Sequence, residues 1–145
     1  VLVGEAIMAI GYRGWFDIDF VAGRDGVLFP TEINARRTGP TIAHSIRERL
    51  RHTRPGRDYR VRTLDLLPLN RPIPEDELYA KLKDMTVVLR ETCAVDMLPT
   101  LFTASEDDAP YFGVALIESV TPESALPFGA LDDAESVLRS SALAF

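Results

Sequence analysis

Asp17, Asp19, Glu32, Asn34 and Arg36 are the residues of this chain whose types and spacing could do chemistry. Phe16, Ile18 and Phe20 alternate with Asp17, Asp19 and Val21, a period of two that predicts a strand with one face toward a core. A second strand is expected over Leu28 to Ala35, and Asp25-Gly26 between them favours a tight two-residue turn. With that turn Arg24 faces Val27, and counting outward puts Asp19 opposite Glu32 and Asp17 opposite Asn34. Facing carboxylates cost about 0.2 to 1 kcal/mol for a surface pair. A hard divalent cation with oxygen ligands reverses the sign, and Mg²⁺ held by one or two carboxylates plus substrate phosphates is the usual arrangement where nucleotides are handled. The alternative is an acidic solvent face on an ordinary hairpin. The expectation depends on turn type, because a longer loop around Gly23 to Gly26 shifts the register by one and breaks the pairing.

Gly14-Trp15-Phe16-Asp17-Ile18-Asp19-Phe20-Val21, followed by Glu32-Ile33-Asn34-Ala35-Arg36-Arg37-Thr38-Gly39, resembles the metal-binding end of the ATP-grasp ligases. The wording is most similar to the peptide ligases of the pheganomycin type. The resemblance implies that Asp19, Glu32 and Asn34 hold Mg²⁺, with Mn²⁺ as an alternative, against the phosphates of ATP. It also implies that Arg36 contacts the transferred phosphoryl group or acyl phosphate. Asp17 stands where many relatives have another residue type, and its role is left open. Pro40 stands where the nearest relatives carry a second Gly. The resemblance is carried by roughly residues 1 to 50 and is weak beyond.

Such an enzyme clasps adenine and reaches the phosphates with lysines and a glycine-rich loop that lie N-terminal to the metal-binding strands. The only lysines here, Lys81 and Lys83, come well after the motif. The chain opens with Val inside a helix-like run, and the expectation is a C-terminal part of a longer protein, inactive without its N-terminal half.

Composition agrees with a globular chain, at 46% hydrophobic and 26% charged residues. No run of about 18 apolar residues predicts a membrane span, and the start lacks the pattern of a signal peptide. The single Cys93 cannot form an internal disulfide and reads as a small buried residue in a reducing cytoplasm. Neither His44 nor His52 belongs to a metal spacing or a triad, so both read as structural or exposed.

Charge is uneven. Residues 1 to 72 carry 12 Arg against 8 acids, and residues 73 to 145 carry 4 basic against 14 acidic side chains. Arg47, Arg49, Arg51, Arg54, Arg57, Arg60 and Arg62 form the densest basic stretch. No aromatic ladder accompanies it and the whole chain is acidic, which argues against nucleic acid as a partner. What remains is a solvated helix face, anion binding, or a contact with the acidic C-terminal portion.

The supporting elements follow from local patterns. Leu2 to Ile10 reads as a helix stopped by Gly11, and Thr41 to Arg51 as a helix entered through Pro40. Arg54 to Arg57 is a turn and Tyr59 to Leu67 a strand. Pro68 to Pro74 is the expected boundary, giving residues 1–67 as the C-terminal part of an ATP-grasp domain and 68–145 as a small α+β extension. Within the extension Glu75 to Leu82 starts a helix. Met85 to Leu89, Val95 to Thr103 and Tyr111 to Val120 have strand length, and Leu131 to Leu143 looks helical. Glu106 to Pro110 reads as a solvated turn.

The expected protein is therefore α+β: an antiparallel metal-binding hairpin and sheet, then the extension. The resemblance implies an ATP- and Mg²⁺-dependent ligase that phosphorylates a carboxylate and lets an amine attack the acyl phosphate to form an amide. Its partners are small-molecule or peptide carboxylate and amine substrates, with a homo-oligomer as a role for the extension. A kinase-like phosphotransferase on the same fold, or a non-catalytic nucleotide-binding or regulatory module, are the competing readings.

Overall fold

The structure, a computed structural model, describes residues 2–102, 110–120 and 129–142. The chain divides into two compact units, Val1–Ile42 and Ala43–Phe145.

The first unit holds helix α1 (Leu2–Ala9), strands β1 (Asp17–Ala22) and β2 (Leu28–Asn34), and the start of helix α2 (Gly39–Thr53). β1 and β2 form an antiparallel two-stranded sheet. The expected burial of its apolar alternation is not observed: Phe20, Val21, Leu28, Phe29 and Ile33 are each more than half exposed. A two-stranded ribbon has too little surface to build a core of its own. Among the described hydrophobic residues, none before Tyr59 is buried.

The second unit continues through β3 (Asp58–Pro68), α3 (Glu75–Cys93), β4 (Val95–Phe102), β5 (Tyr111–Val120) and α4 (Gly129–Ala142). Its sheet runs β3-β5-β4 with both pairings antiparallel. One face carries Leu64, Val114, Leu116, Val95 and Met97, and these join Leu78, Leu82, Met85 and Leu89 of α3 and Leu131, Ala134 and Leu138 of α4 in one buried cluster. A sheet covered on one face by helices is a two-layer α+β solution to burying an apolar face.

One expectation is corrected here. Met85 to Leu89 is not a strand but the last half of α3. Leu78, Leu82, Met85 and Leu89 recur at helical spacing and are buried, while Val87 and Val88 lie on the open side, so the period of burial overrides the β-branched composition. Pro74 and the acids Glu75, Asp76 and Glu77 start the helix, and Ala94 ends it in the left-handed conformation at φ 56°, donating its N–H to Leu89 O. β3 pairs with β5 from Asp58 through Pro68, within the unit that begins at Ala43.

Gly113 lies in the central strand where both neighbours bulge, between Leu64 and Leu67 on β3 and between Pro99 and Leu101 on β4. A Cβ there would stand 3.0 Å from Thr100 Oγ1, 3.1 Å from Leu101 Cβ and 3.3 Å from Asp65 Cα. The two doubled-up edges crowd onto a position that only a missing side chain leaves open.

Candidate functional site: an acidic hairpin face

In β1 and β2 Asp17 pairs with Asn34 and Asp19 with Glu32, the partners expected from the sequence. The route to that register differs from the expectation. The turn is one residue longer than Asp25-Gly26: Gly23 N–H donates to Val27 O at 2.8 Å, and Gly26 N–H to Gly23 O at 2.9 Å. Gly26 has φ +78°, and Asp25 Oδ1 accepts from Val27 N–H at 3.2 Å. A type I turn followed by a left-handed Gly is the usual way to close a three-residue hairpin loop. That turn sets Ala22 opposite Leu28, Val21 opposite Phe29 and Phe20 opposite Pro30, all one position off the two-residue count. A bulge then restores the count, because Asp19 faces Glu32 and Thr31 is the extra residue. Thr31 Oγ1 donates to Asp19 O at 3.2 Å across the irregularity. The residue that sequence reasoning missed is therefore Thr31, and its signal was Pro30, which has no N–H for the ladder and belongs at edges and bulges.

Paired residues share a sheet face, so Asp17, Asp19, Glu32 and Asn34 project together. Asn34 Nδ2 donates to Asp19 Oδ2 at 3.2 Å, and Arg36 Nη2 donates to Asn34 Oδ1 at 3.1 Å. Arg36 reaches back because the chain folds tightly beyond the strand, with Arg36 N–H donating to Asn34 O at 2.9 Å. Asp19, Asn34 and Arg36 thus form a linked row. Glu32 makes no hydrogen bond or ion pair among the described residues, and Asp17 Oδ1 is buried without a partner there. The donor set is all oxygen, which suits a hard cation. As it stands the Asn34 oxygen is turned to Arg36, and ligation requires it to turn away. Among the described residues no three or more His, Cys, Asp or Glu side chains are grouped to hold a metal.

The arginine-rich stretch is largely ion-paired. Arg47 holds Asp58 through Nε at 3.3 Å and through Nη2 to both carboxylate oxygens at 3.0 Å, and Arg51 Nε joins at 2.9 Å. Arg51, the Tyr59 N–H and Arg47 together hold the Asp58 carboxyl down at about 2. Arg60 meets Glu118 at 3.5 Å, and Arg62 meets Asp132 at 2.7 Å and Glu135 at 2.9 Å. The contact with the acidic C-terminal portion is thus made by Arg60 and Arg62. Cys93 is partly buried against the core cluster, and His44 and His52 are exposed. Lys81 and Lys83 lie on α3, and the Glu106 to Asp108 turn lies outside the described residues. No described helix is long and apolar enough to cross a membrane.

Compared with known proteins, the chain is 34% identical over 90 residues to the L-propargylglycine–L-glutamate ligase of Streptantibioticus cattleyicolor. The similarity covers 60% of this chain and 19% of that ligase, so the chain spans about a fifth of the length of the curated relative it matches. No family model matches the sequence, and no solved structure matches it.

Proposed function

We propose that this chain carries the metal- and phosphoryl-handling strands of an ATP-grasp carboxylate-amine ligase, similar to the pheganomycin-type peptide ligases. The observation that supports this reading most is the pairing of Asp19 with Glu32, with Asn34 and Arg36 linked beside them, in a chain similar to an amino acid ligase. In this reading Asp19, Glu32 and Asn34 hold Mg²⁺ or Mn²⁺, which when bound neutralises charge on the phosphate oxygens of ATP. Glu32, without a protein partner, offers its carboxylate without first breaking an ion pair. Arg36 presents its guanidinium to the phosphoryl group passing from ATP to the substrate carboxylate, where a planar charged fork matches the oxygens. Attack of an amine on the resulting acyl phosphate forms the amide and releases phosphate.

The test is Glu32→Gln. In the 145-residue chain Mn²⁺ binding, read by electron paramagnetic resonance, is expected to be weak and to be lost in the variant with the hairpin intact. In the complete ligase the same change is expected to abolish ADP release and amide formation. Undiminished ligation by Glu32→Gln would remove the metal role.

A further inference from the structure

Asn34 links Asp19 to Arg36 on the acidic face of the hairpin. Its side-chain NH₂ donates to Asp19 Oδ2 at 3.2 Å, and its Oδ1 accepts from Arg36 Nη2 at 3.1 Å. The neighbours dictate that orientation. A carboxylate only accepts and a guanidinium only donates, so the amide turns its NH₂ to Asp19 and its oxygen to Arg36. A hard cation shared by Asp19 and Asn34 asks for the opposite, because both side chains then have to present oxygen to it. Rotation of the amide about χ2 exchanges its two ends, and that torsion is soft. The NH₂ then faces Arg36, donor against donors. The guanidinium thereby loses the one side-chain acceptor it has among the described residues, keeping only Arg37 O at 3.5 Å.

We propose that Asn34 is a positioning residue that couples cation binding to the release of Arg36. Without a cation the Asn34 oxygen holds the guanidinium back along the hairpin. When a cation binds, the amide turns and Arg36 is set free for the phosphoryl group. This rests on the reading of Asp19, Glu32 and Asn34 as cation ligands and adds to it an order of events: Arg36 becomes available only once the cation is in place. The cation and Arg36 compete for one amide, so by linkage each weakens the other's hold on it by the same factor. The Arg36 contact is exposed, which sets that factor at the low end of coupled sites, about fivefold.

The experiment titrates the full 145-residue chain with Mg²⁺ and follows the Asn34 side-chain NH₂ and the Arg36 Nε–H by NMR. Before Mg²⁺ is added, the Asn34 amide protons are expected to show cross-peaks to the Asp19 side chain. On titration those cross-peaks are expected to vanish, and the Asn34 and Arg36 signals to shift along one shared saturation curve. Arg36→Ala is expected to tighten Mn²⁺ binding, read by electron paramagnetic resonance, about fivefold. Most of that gain is expected to survive in about 1 M salt, where the Debye length is about 3 Å and the effect of merely removing a positive charge is screened. A cation that binds while Asn34 keeps its cross-peaks to Asp19, or an Arg36→Ala affinity equal to that of the native chain in high salt, would overturn the coupling and leave the metal ligands standing. No saturable effect of Mg²⁺ or Mn²⁺ on residues 17–36 would overturn the metal reading and the coupling with it.

Discussion

Asp19 faces Glu32 across the hairpin through two compensating one-residue departures from a simple ladder. The turn at Gly23 to Val27 takes one residue more than a two-residue loop, and the bulge at Thr31 gives that residue back. Because side chains alternate faces with every residue, either departure alone would put Glu32 on the opposite face from Asp19.

The first prediction is that deleting Thr31 leaves the pairing of Asp19 with Glu32 in place. Without Thr31, Pro30 and Glu32 become neighbours and the ladder runs unbroken from Phe20–Pro30 to Asp19–Glu32. Cross-strand contacts between the Ile18 and Ile33 Hα protons, the neighbouring non-hydrogen-bonded pair of the same register, are expected to persist in NMR spectra of the deletion. Their loss would show that Thr31 is an ordinary ladder residue and that the register is set elsewhere.

Arg36 tests the proposed chemistry separately from the metal. Its guanidinium hydrogen-bonds Asn34 Oδ1 and lies beyond the strand end. If it stabilises charge that develops only during phosphoryl transfer, Arg36→Ala in the complete ligase is expected to lower kcat by about 100-fold or more while KM for ATP changes little. A raised KM with unchanged kcat would instead make it a ground-state contact.

The pairing of the hairpin strands was more legible in the sequence than their packing. Asp19, Glu32, Asn34 and Arg36 lie on a hairpin whose pairing follows from alternation, and the local count gave the right partners through a wrong turn. Its error came from treating Asp-Gly as the whole turn and overlooking Pro30, whose missing N–H marks the bulge. Burial was not legible, because Phe20 and Ile33 have the pattern of core residues but a two-stranded ribbon offers them nothing to pack on. In the second unit Met85 to Leu89 misled for the opposite reason. A window of five residues shows β-branched composition, whereas the helical period emerges only from Leu78 to Leu89 taken together. Asp58 carried no local signal, since its partners Arg47 and Arg51 come from α2.

Gly113 gives a prediction about the second unit. A methyl group added there meets Thr100, Leu101 and the Asp65 backbone within 3.3 Å, and the strand is flanked on both sides so it cannot move away. Gly113→Ala is expected to destabilise the fold by about 1 to 3 kcal/mol, the usual cost of overpacking. A denaturant melt reads this directly. A neutral result would mean that the two bulges relax together and that the close approach is not a constraint.

The last prediction concerns acid. Asp58 is held at about 2, below its ordinary 3.8, by Arg51, the Tyr59 N–H and Arg47. A carboxyl whose folded-state pKa is depressed contributes stability that is fully present above its unfolded-state value and is lost as the pH falls through the folded one. The Asp58 contribution is therefore constant from neutral pH to about pH 4 and declines between about pH 4 and pH 2. The side chain is 48% exposed and its arginine partners about 40%, so solvent screens the ion pairs and the effect on stability is small. Asp58→Asn is expected to melt slightly lower than the native chain at pH 7, with the difference narrowing as the pH falls from 4 to 2. Raising the salt concentration at pH 7 is expected to narrow it too, since exposed pairs are screened within a Debye length of about 10 Å at 0.1 M. Thermal melts of the two proteins across that range decide it. A difference that stays constant down to pH 2 would mean that Asp58 contributes through hydrogen bonds that a neutral side chain makes equally well, and not through its charge.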